Sequence, residues 1–143
     1  MSTESKPKEV TIFLVEDDDI DATAMHRTLN KLKILNPVVR AHDGVEALEL
    51  MRKKGFLEKP FITLLDINMP RMNGFEFIEA VRADPLLANA VIFVLTTSDS
   101  DIDKCAAYKQ NVAGYIVKQS IEDGLLKIVE MLNLYWRLVE LPR

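Results

Sequence analysis

Cysteine is almost missing from this sequence: Cys105 is the only one, so no internal disulfide can form. The fold must stand on its core, and a reducing compartment suits it. No apolar stretch approaches the ~20 residues of a membrane span. Met1 to Glu9 is polar and lacks the hydrophobic centre of a secretory leader. A cytoplasmic location is therefore expected. Positive charge is not in excess either, since 18 Lys and Arg face 22 Asp and Glu for a net charge of −4. That excludes a nucleic-acid or anionic-membrane surface built on charge. With 48% hydrophobic and 28% charged residues, what remains is an ordinary globular chain. It is long enough for one domain with a real core. Residues 1–8 are expected to form a disordered tail, and 9–143 that single domain, ending in a long helix. No repeat, low-complexity segment or linker interrupts it.

Apolar β-type runs alternate with amphipathic ones. Val10 to Val15 reads as a strand ending in Glu16-Asp17-Asp18-Asp19, where Asp18 or Asp19 is expected to cap the next helix. That helix places Ile20, Ala24 or Met25, Leu29 and Leu32 on one face. Val38 to Ala41 is a short second strand. Asp43 and Glu46 have the spacing of a capping box, Val45, Leu48 and Met51 form the inner face, and Gly55 stands as the helix-ending glycine. Phe61 to Leu65 is a third strand with Asp66 at its tip. Asn73 and Glu76 repeat the cap for a helix with Phe75, Ile78 and Val81 inward, stopped at Asp84-Pro85. Ala90 to Leu95 is a fourth strand, followed by a weakly apolar helix from about 99 to 110. Gly114 to Val117 is a fifth strand, and Ser120 caps a last helix running to about Glu140. Five strands alternating with five helices predict a doubly wound α/β parallel sheet.

Ligands of such a sheet bind outside the carboxyl ends of its strands. Those ends carry Glu16 and Asp17, then Asp66 and Asn68, then Thr96, then Lys118. If the first, third, fourth and fifth strands are neighbours, these groups converge. Clustered carboxylates repel unless a cation joins them. Magnesium, hard and oxygen-seeking, is the natural one, with manganese as its substitute. A lysine, a hydroxyl and a divalent cation around one carboxylate make a site for phosphoryl transfer to that carboxylate. Read singly, each residue has a plainer role: Asp66 as a turn residue, Lys118 on the surface, Thr96 in a strand, Tyr115 in the core. His26 and His42 have no metal-binding partner at useful spacing, and Cys105 reads as helix packing.

Four segments carry a family resemblance across about residues 9 to 140: Val15-Glu16-Asp17-Asp18, Leu65-Asp66-Ile67-Asn68-Met69-Pro70 with Asn73-Gly74, Leu95-Thr96-Thr97, and Gly114-Tyr115-Ile116-Val117-Lys118. In this order the chain resembles the receiver domains of two-component response regulators. The resemblance implies a flavodoxin-like (βα)5 fold with strand order 2-1-3-4-5. It implies that Asp66 accepts a phosphoryl group from a sensor histidine kinase. It also implies that Asp17 and Asp66 bind Mg²⁺ directly, Glu16 through water and Asn68 through its carbonyl. Lys118 would contact the phosphoryl oxygens, Thr96 would move toward them, and Tyr115 would swing in behind. Such a protein promotes its own phosphotransfer and slow dephosphorylation, and signals rather than turning over a substrate.

Two positions depart from that pattern. Receiver domains usually have a cis-proline after the lysine, where this chain has Gln119, so the following loop is expected to differ. Thr97 is bulkier than usual and is expected to narrow the site. Two other readings stand beside the first. One is a receiver fold that never carries phosphate and acts only as an interaction module. The other is a phosphatase of the haloacid dehalogenase type, which Asp17-Asp18-Asp19 faintly resembles, although the chain lacks its cap and its downstream acidic pair.

The last helix has more apolar residues than one face can bury. Ile121, Leu125, Ile128, Leu132, Tyr135 and Val139 make one stripe, and Leu126, Met131, Leu134, Trp136, Leu138 and Leu141 a second set. A symmetric homodimer through this helix is expected. The tail Tyr135 to Pro142 also resembles that of stand-alone regulators paired with bacterial phytochrome kinases.

Overall fold

The most deeply buried strands of the chain lie side by side at the centre of a five-stranded sheet. A computed structural model describes residues 10–67, 69, 72–97 and 111–140, with side chains in the last helix to residue 132. The strands are β1 (Thr11–Val15), β2 (Val38–Ala41), β3 (Phe61–Asp66), β4 (Val91–Thr96) and β5 (Gly114–Val117). All neighbours pair in parallel, in the order β2-β1-β3-β4-β5. Burial explains the order. β1, β3 and β4 are covered on both faces beyond their first residue, whereas β2 and β5, at the edges, are mostly half-buried.

Four helices are described: α1 (Asp19–Lys31), α2 (Gly44–Met51), α3 (Gly74–Ala83) and α4 (Ile121–Glu140). The helix expected over 99–110, with Ile102, Cys105 and Ala106, lies outside the described residues, as does the tail expected over 1–8. Alternation along the strands divides the core in two. Phe13, Val15, Leu65, Ile92 and Val94 meet α2 and α3 on one face. Ile12, Leu14, Leu64, Phe93, Leu95 and Ile116 meet α1 and α4 on the other.

Local signals set the helix starts. Asp18 caps α1 by accepting from the Ile20 and Asp21 amides at 2.7 and 3.2 Å. Asn73 and Glu76 form a reciprocal capping box on α3. Asp43 caps α2 as expected, but Glu46 does not close the box. Its carboxylate accepts from the His42 amide at 2.6 Å and lies 2.8 Å from His42 Nδ1, one residue further back. Other details also differ from the sequence pattern. Ile20 is 79% exposed and Ala22 takes its place inward, because the cap starts α1 with a different face toward the sheet. Phe77 is fully buried in α3, with Phe75 only packed against the cluster. Gly55 is left-handed, at φ 93°, but precedes the 3-10 turn Phe56–Glu58 rather than ending α2, whose C-cap is Arg52. Ser120 belongs to a 3-10 turn, Lys118–Ser120, that runs straight into α4.

Thr63 is the one polar intrusion at the centre of β3. Its Oγ1 is wholly buried without a hydrogen-bond partner. An unmet buried hydroxyl costs free energy, so Thr63→Val is expected to stabilise the fold by about 1 kcal/mol. Urea unfolding should show a higher midpoint at an unchanged slope; a lower midpoint would reveal a partner for the hydroxyl.

Candidate functional site

Strand register builds the site. Val15 pairs with Leu65, Asp66 with Leu95 and Thr96 with Val117. Glu16, Asp66, Thr96 and Lys118 therefore leave the sheet at the same end, from four adjacent strands. Glu16, Asp66 and Thr96 are buried, Asp17 is half-buried and Lys118 is partly exposed. Glu16, Asp17 and Asp66 offer carboxylate oxygens that all lie within 4.8 Å of one another. The Lys118 ammonium stands 3.6 Å from Asp66 Oδ1, 3.7 Å from Glu16 Oε1 and 3.6 Å from Asp21 Oδ2.

The electrostatics show what this cluster is suited to hold. Burial, then the neighbouring Asp66 carboxylate, push the Glu16 carboxyl up to about 8, against the pull of Lys118 and the Asp18 amide. The Glu16 and Asp66 side chains are within hydrogen-bond reach of each other, and their mutual repulsion opposes ionisation of Glu16. Burial alone would lower the Lys118 ammonium; Asp66, Glu16 and Asp21 outweigh it and raise Lys118 above the ordinary range. Lys118 offsets part of the negative charge of the pocket. Three hard oxygen donors gathered this closely fit a divalent cation, which would relieve their mutual repulsion.

Backbone contacts hold the acidic loop. The Glu16 amide donates to the Ala41 carbonyl at 3.0 Å. Arg40, from the end of β2, donates to the Glu16 carbonyl through Nε at 3.0 Å and Nη2 at 2.9 Å, and its Nη1 pairs with Asp19 at 2.8 Å. On the other side of Asp66, Ile67 donates to the Leu95 carbonyl at 3.4 Å and accepts from the Gly74 amide at 3.0 Å. Gly74 is required here, since a Cβ would lie 2.7 Å from Ile67 Cα and 3.1 Å from the Asp66 carbonyl.

Glu16, Asp17, Asp66 and Lys118 are brought together as expected. Thr96 ends β4, one register step from Asp66. Tyr115 is half-buried against the α2–α3 core, on the strand face shared by Thr96, and its partner in β4 is Val94. Asn68 and Pro70 lie outside the described residues. The described peptide bonds are all trans, Lys118–Gln119 included. Gln119 Nε2 instead donates to the Thr97 carbonyl at 3.3 Å, tying the loop after β5 to the end of β4. Asp21 and Arg40 were not foreseen. Arg40 is signalled by a charge inside the four-residue strand Val38–Ala41. Asp21 is signalled only by its place one helical turn after the acidic pair.

Residues 12–130 match the family model of the response regulator receiver domain. The chain is 32% identical over 139 residues to Response regulator Rcp1 of Synechocystis sp., across 95% of this chain and 94% of that protein. Among solved structures, the bacteriophytochrome response regulator AtBRR is similar with a TM-score of 0.75 and 29% identity, over 89% of this chain and 94% of its own. The phosphorylated cyanobacterial phytochrome response regulator RcpA gives a TM-score of 0.67 and 30% identity, over 90% of this chain and 94% of its own.

Proposed function

This chain belongs to the response regulator receiver domain family, and from that we propose that it is a single-domain response regulator whose Asp66 accepts a phosphoryl group from a sensor histidine kinase. The observation that carries the reading is the convergence of Glu16, Asp17, Asp66 and Lys118 at one end of the sheet. Glu16, Asp17 and Asp66 would hold magnesium, or manganese in its place. The cation would neutralise charge on the transferring phosphoryl oxygens.

The chain's own groups do the rest. One Asp66 oxygen attacks phosphorus as the bond to the kinase histidine breaks, and the electron pair leaves with the imidazole. Lys118 receives a phosphoryl oxygen as an ionic partner. Burial keeps Asp66 from bulk water, which favours persistence of the product. Thr96 turns its hydroxyl toward the new charge, and Tyr115, on the same strand face, is the element that can follow it. That is a local charge change read by a two-state surface.

Two finer features belong to this reading. The kinase is a bacterial phytochrome, supported by the likeness to AtBRR and RcpA, named as phytochrome response regulators. The protein acts in the cytoplasm as a homodimer through α4. In α4 Leu125 and Ile128 are buried and Ile121 and Leu132 pack on the core, while Leu126 and Met131 of the second set are 43% and 47% exposed. Tyr135, Trp136 and the other apolar side chains beyond 132 lie outside the described residues.

Beryllofluoride, a phosphoryl mimic, tests the function without the kinase. Binding should perturb tyrosine or tryptophan fluorescence only when Mg²⁺ is present, and sedimentation of the same samples should show dimer. Absence of Mg-dependent binding would favour the interaction module; monomer at all concentrations, with and without the mimic, would remove the dimer.

A further inference from the structure

We propose that Asp21 is a positioning residue for Lys118, holding the lysine over the acceptor carboxylate once the acid pocket carries a divalent cation. This rests on the reading of Asp66 as phosphoryl acceptor. Lys118 Nζ lies nearly midway among three carboxylates, 3.6 Å from Asp66, 3.7 Å from Glu16 and 3.6 Å from Asp21. The three are not equivalent. Glu16 and Asp66 belong to the group whose oxygens could share a metal ion, and Asp21 does not. When a cation binds, the charge on Glu16 and Asp66 is drawn to it, and the cation itself repels the ammonium. Only the Asp21 pair is left intact. It pulls from the first turn of α1, outside the group of carboxylates that could share the ion.

The structure gives Asp21 the means to do this. The Asp18 cap fixes its amide at 3.2 Å, so the first turn of α1 is held where the carboxylate meets the lysine. Lys118 leaves the sheet in a 3-10 turn, so its backbone is set while its long side chain has a choice of places. A cavity of about 180 Å³ beside the pair, floored by Met25, Leu95 and Ile121, gives that side chain room to depart. Without Asp21 the lysine would be pushed off the site by the very ion the phosphoryl group needs. A carboxylate in the first turn of a helix also complements its dipole. That plainer role would act on the stability of α1 and would make no distinction among ligands.

The test uses the full chain at saturating Mg²⁺ and measures beryllofluoride affinity. Asp21→Asn should weaken it about fivefold. Asp21→Glu should retain most of it. Mg²⁺ affinity, measured alone, should stay within about twofold. In a Lys118→Ala background, Asp21→Asn should have no further effect, because its action passes through the lysine. Equal binding by wild type and Asp21→Asn would overturn the inference, as would a loss that persists without Lys118. A wild type that binds no beryllofluoride in Mg²⁺ would instead overturn the assignment of Asp66, and Asp21 with it.

Discussion

Asp66→Asn is expected to leave a folded protein that takes up no phosphoryl group from any kinase that phosphorylates the wild type. The amide has nearly the same shape, keeps an acceptor oxygen beside Glu16 and removes the repulsion between the two carboxylates. The change in folding free energy should therefore stay within about 1 kcal/mol. What would be lost is the proposed nucleophile, together with one of the three carboxylates that could hold a metal ion. Incorporation of label from phosphorylated kinase should fall to background, and Mg²⁺ affinity should drop with it. A stoichiometric, hydroxylamine-labile acyl phosphate on Asp66→Asn would place the acceptor elsewhere, and the neighbouring Asp17 would be the residue to examine.

The second large effect is expected at Gly74, which no charge marks as functional. Its helix start packs directly on the backbone of Asp66 and Ile67. A methyl group there would meet Ile67 Cα and Cδ1, both at 2.7 Å. The Cα cannot move alone, since Ile67 is held by the Leu95 carbonyl and by the Gly74 amide. Gly74→Ala should cost about 3 kcal/mol, at the upper end for overpacking. Because the strain falls on residues 66–67, Mg²⁺ binding should weaken in the protein that remains folded. Gly55 provides the contrast. It has φ 93° but open space around it, so Gly55→Ala should cost about 1 kcal/mol through backbone strain alone and leave Mg²⁺ binding unchanged. Urea titration and Mg²⁺ titration of both variants would check the pair. Equal losses at the two positions would show that the contact with Ile67 relaxes.

The sheet was legible because buried parallel strands need unbroken apolar runs, and Phe61–Asp66 and Val91–Thr96 stand out from the polar segments between them. The ends of α1 and α3 were legible because Asp18 and Asn73 act on amides two or three residues away, within the reach of local pattern. Reading failed where a second element chose between local options. Glu46 had two amides in range and took that of His42, whose ring it also meets. Ile20 is apolar and correctly spaced, yet the sheet lies against Ala22 and Met25. Within the site, Asp66, Glu16, Asp17 and Lys118 could be named from strand ends. Asp21 and Arg40 could not, because the lysine that meets one and the carbonyl that meets the other lie 97 and 24 residues away in the chain. Contacts at such separation leave no periodic trace.

Alternation along the strands has one more consequence. Leu64 and Asp66 share a face of β3, as Leu14 and Glu16 continue a face of β1, and both look toward α1 and α4. Thr96 and Tyr115 are out of step with them and look the other way. Sheet parity thus separates the groups proposed to make and break a bond from those proposed to report it. The two sets come closest at the tips of β3 and β4, where Asp66 pairs with Leu95, the neighbour of Thr96. A genetic screen should therefore recover two kinds of lesion at adjacent strand ends. Changes at even positions near the tip of β3 would alter how fast the mark is written. A change at Thr96, beside the core residue Leu95, would leave the mark in place and silence it.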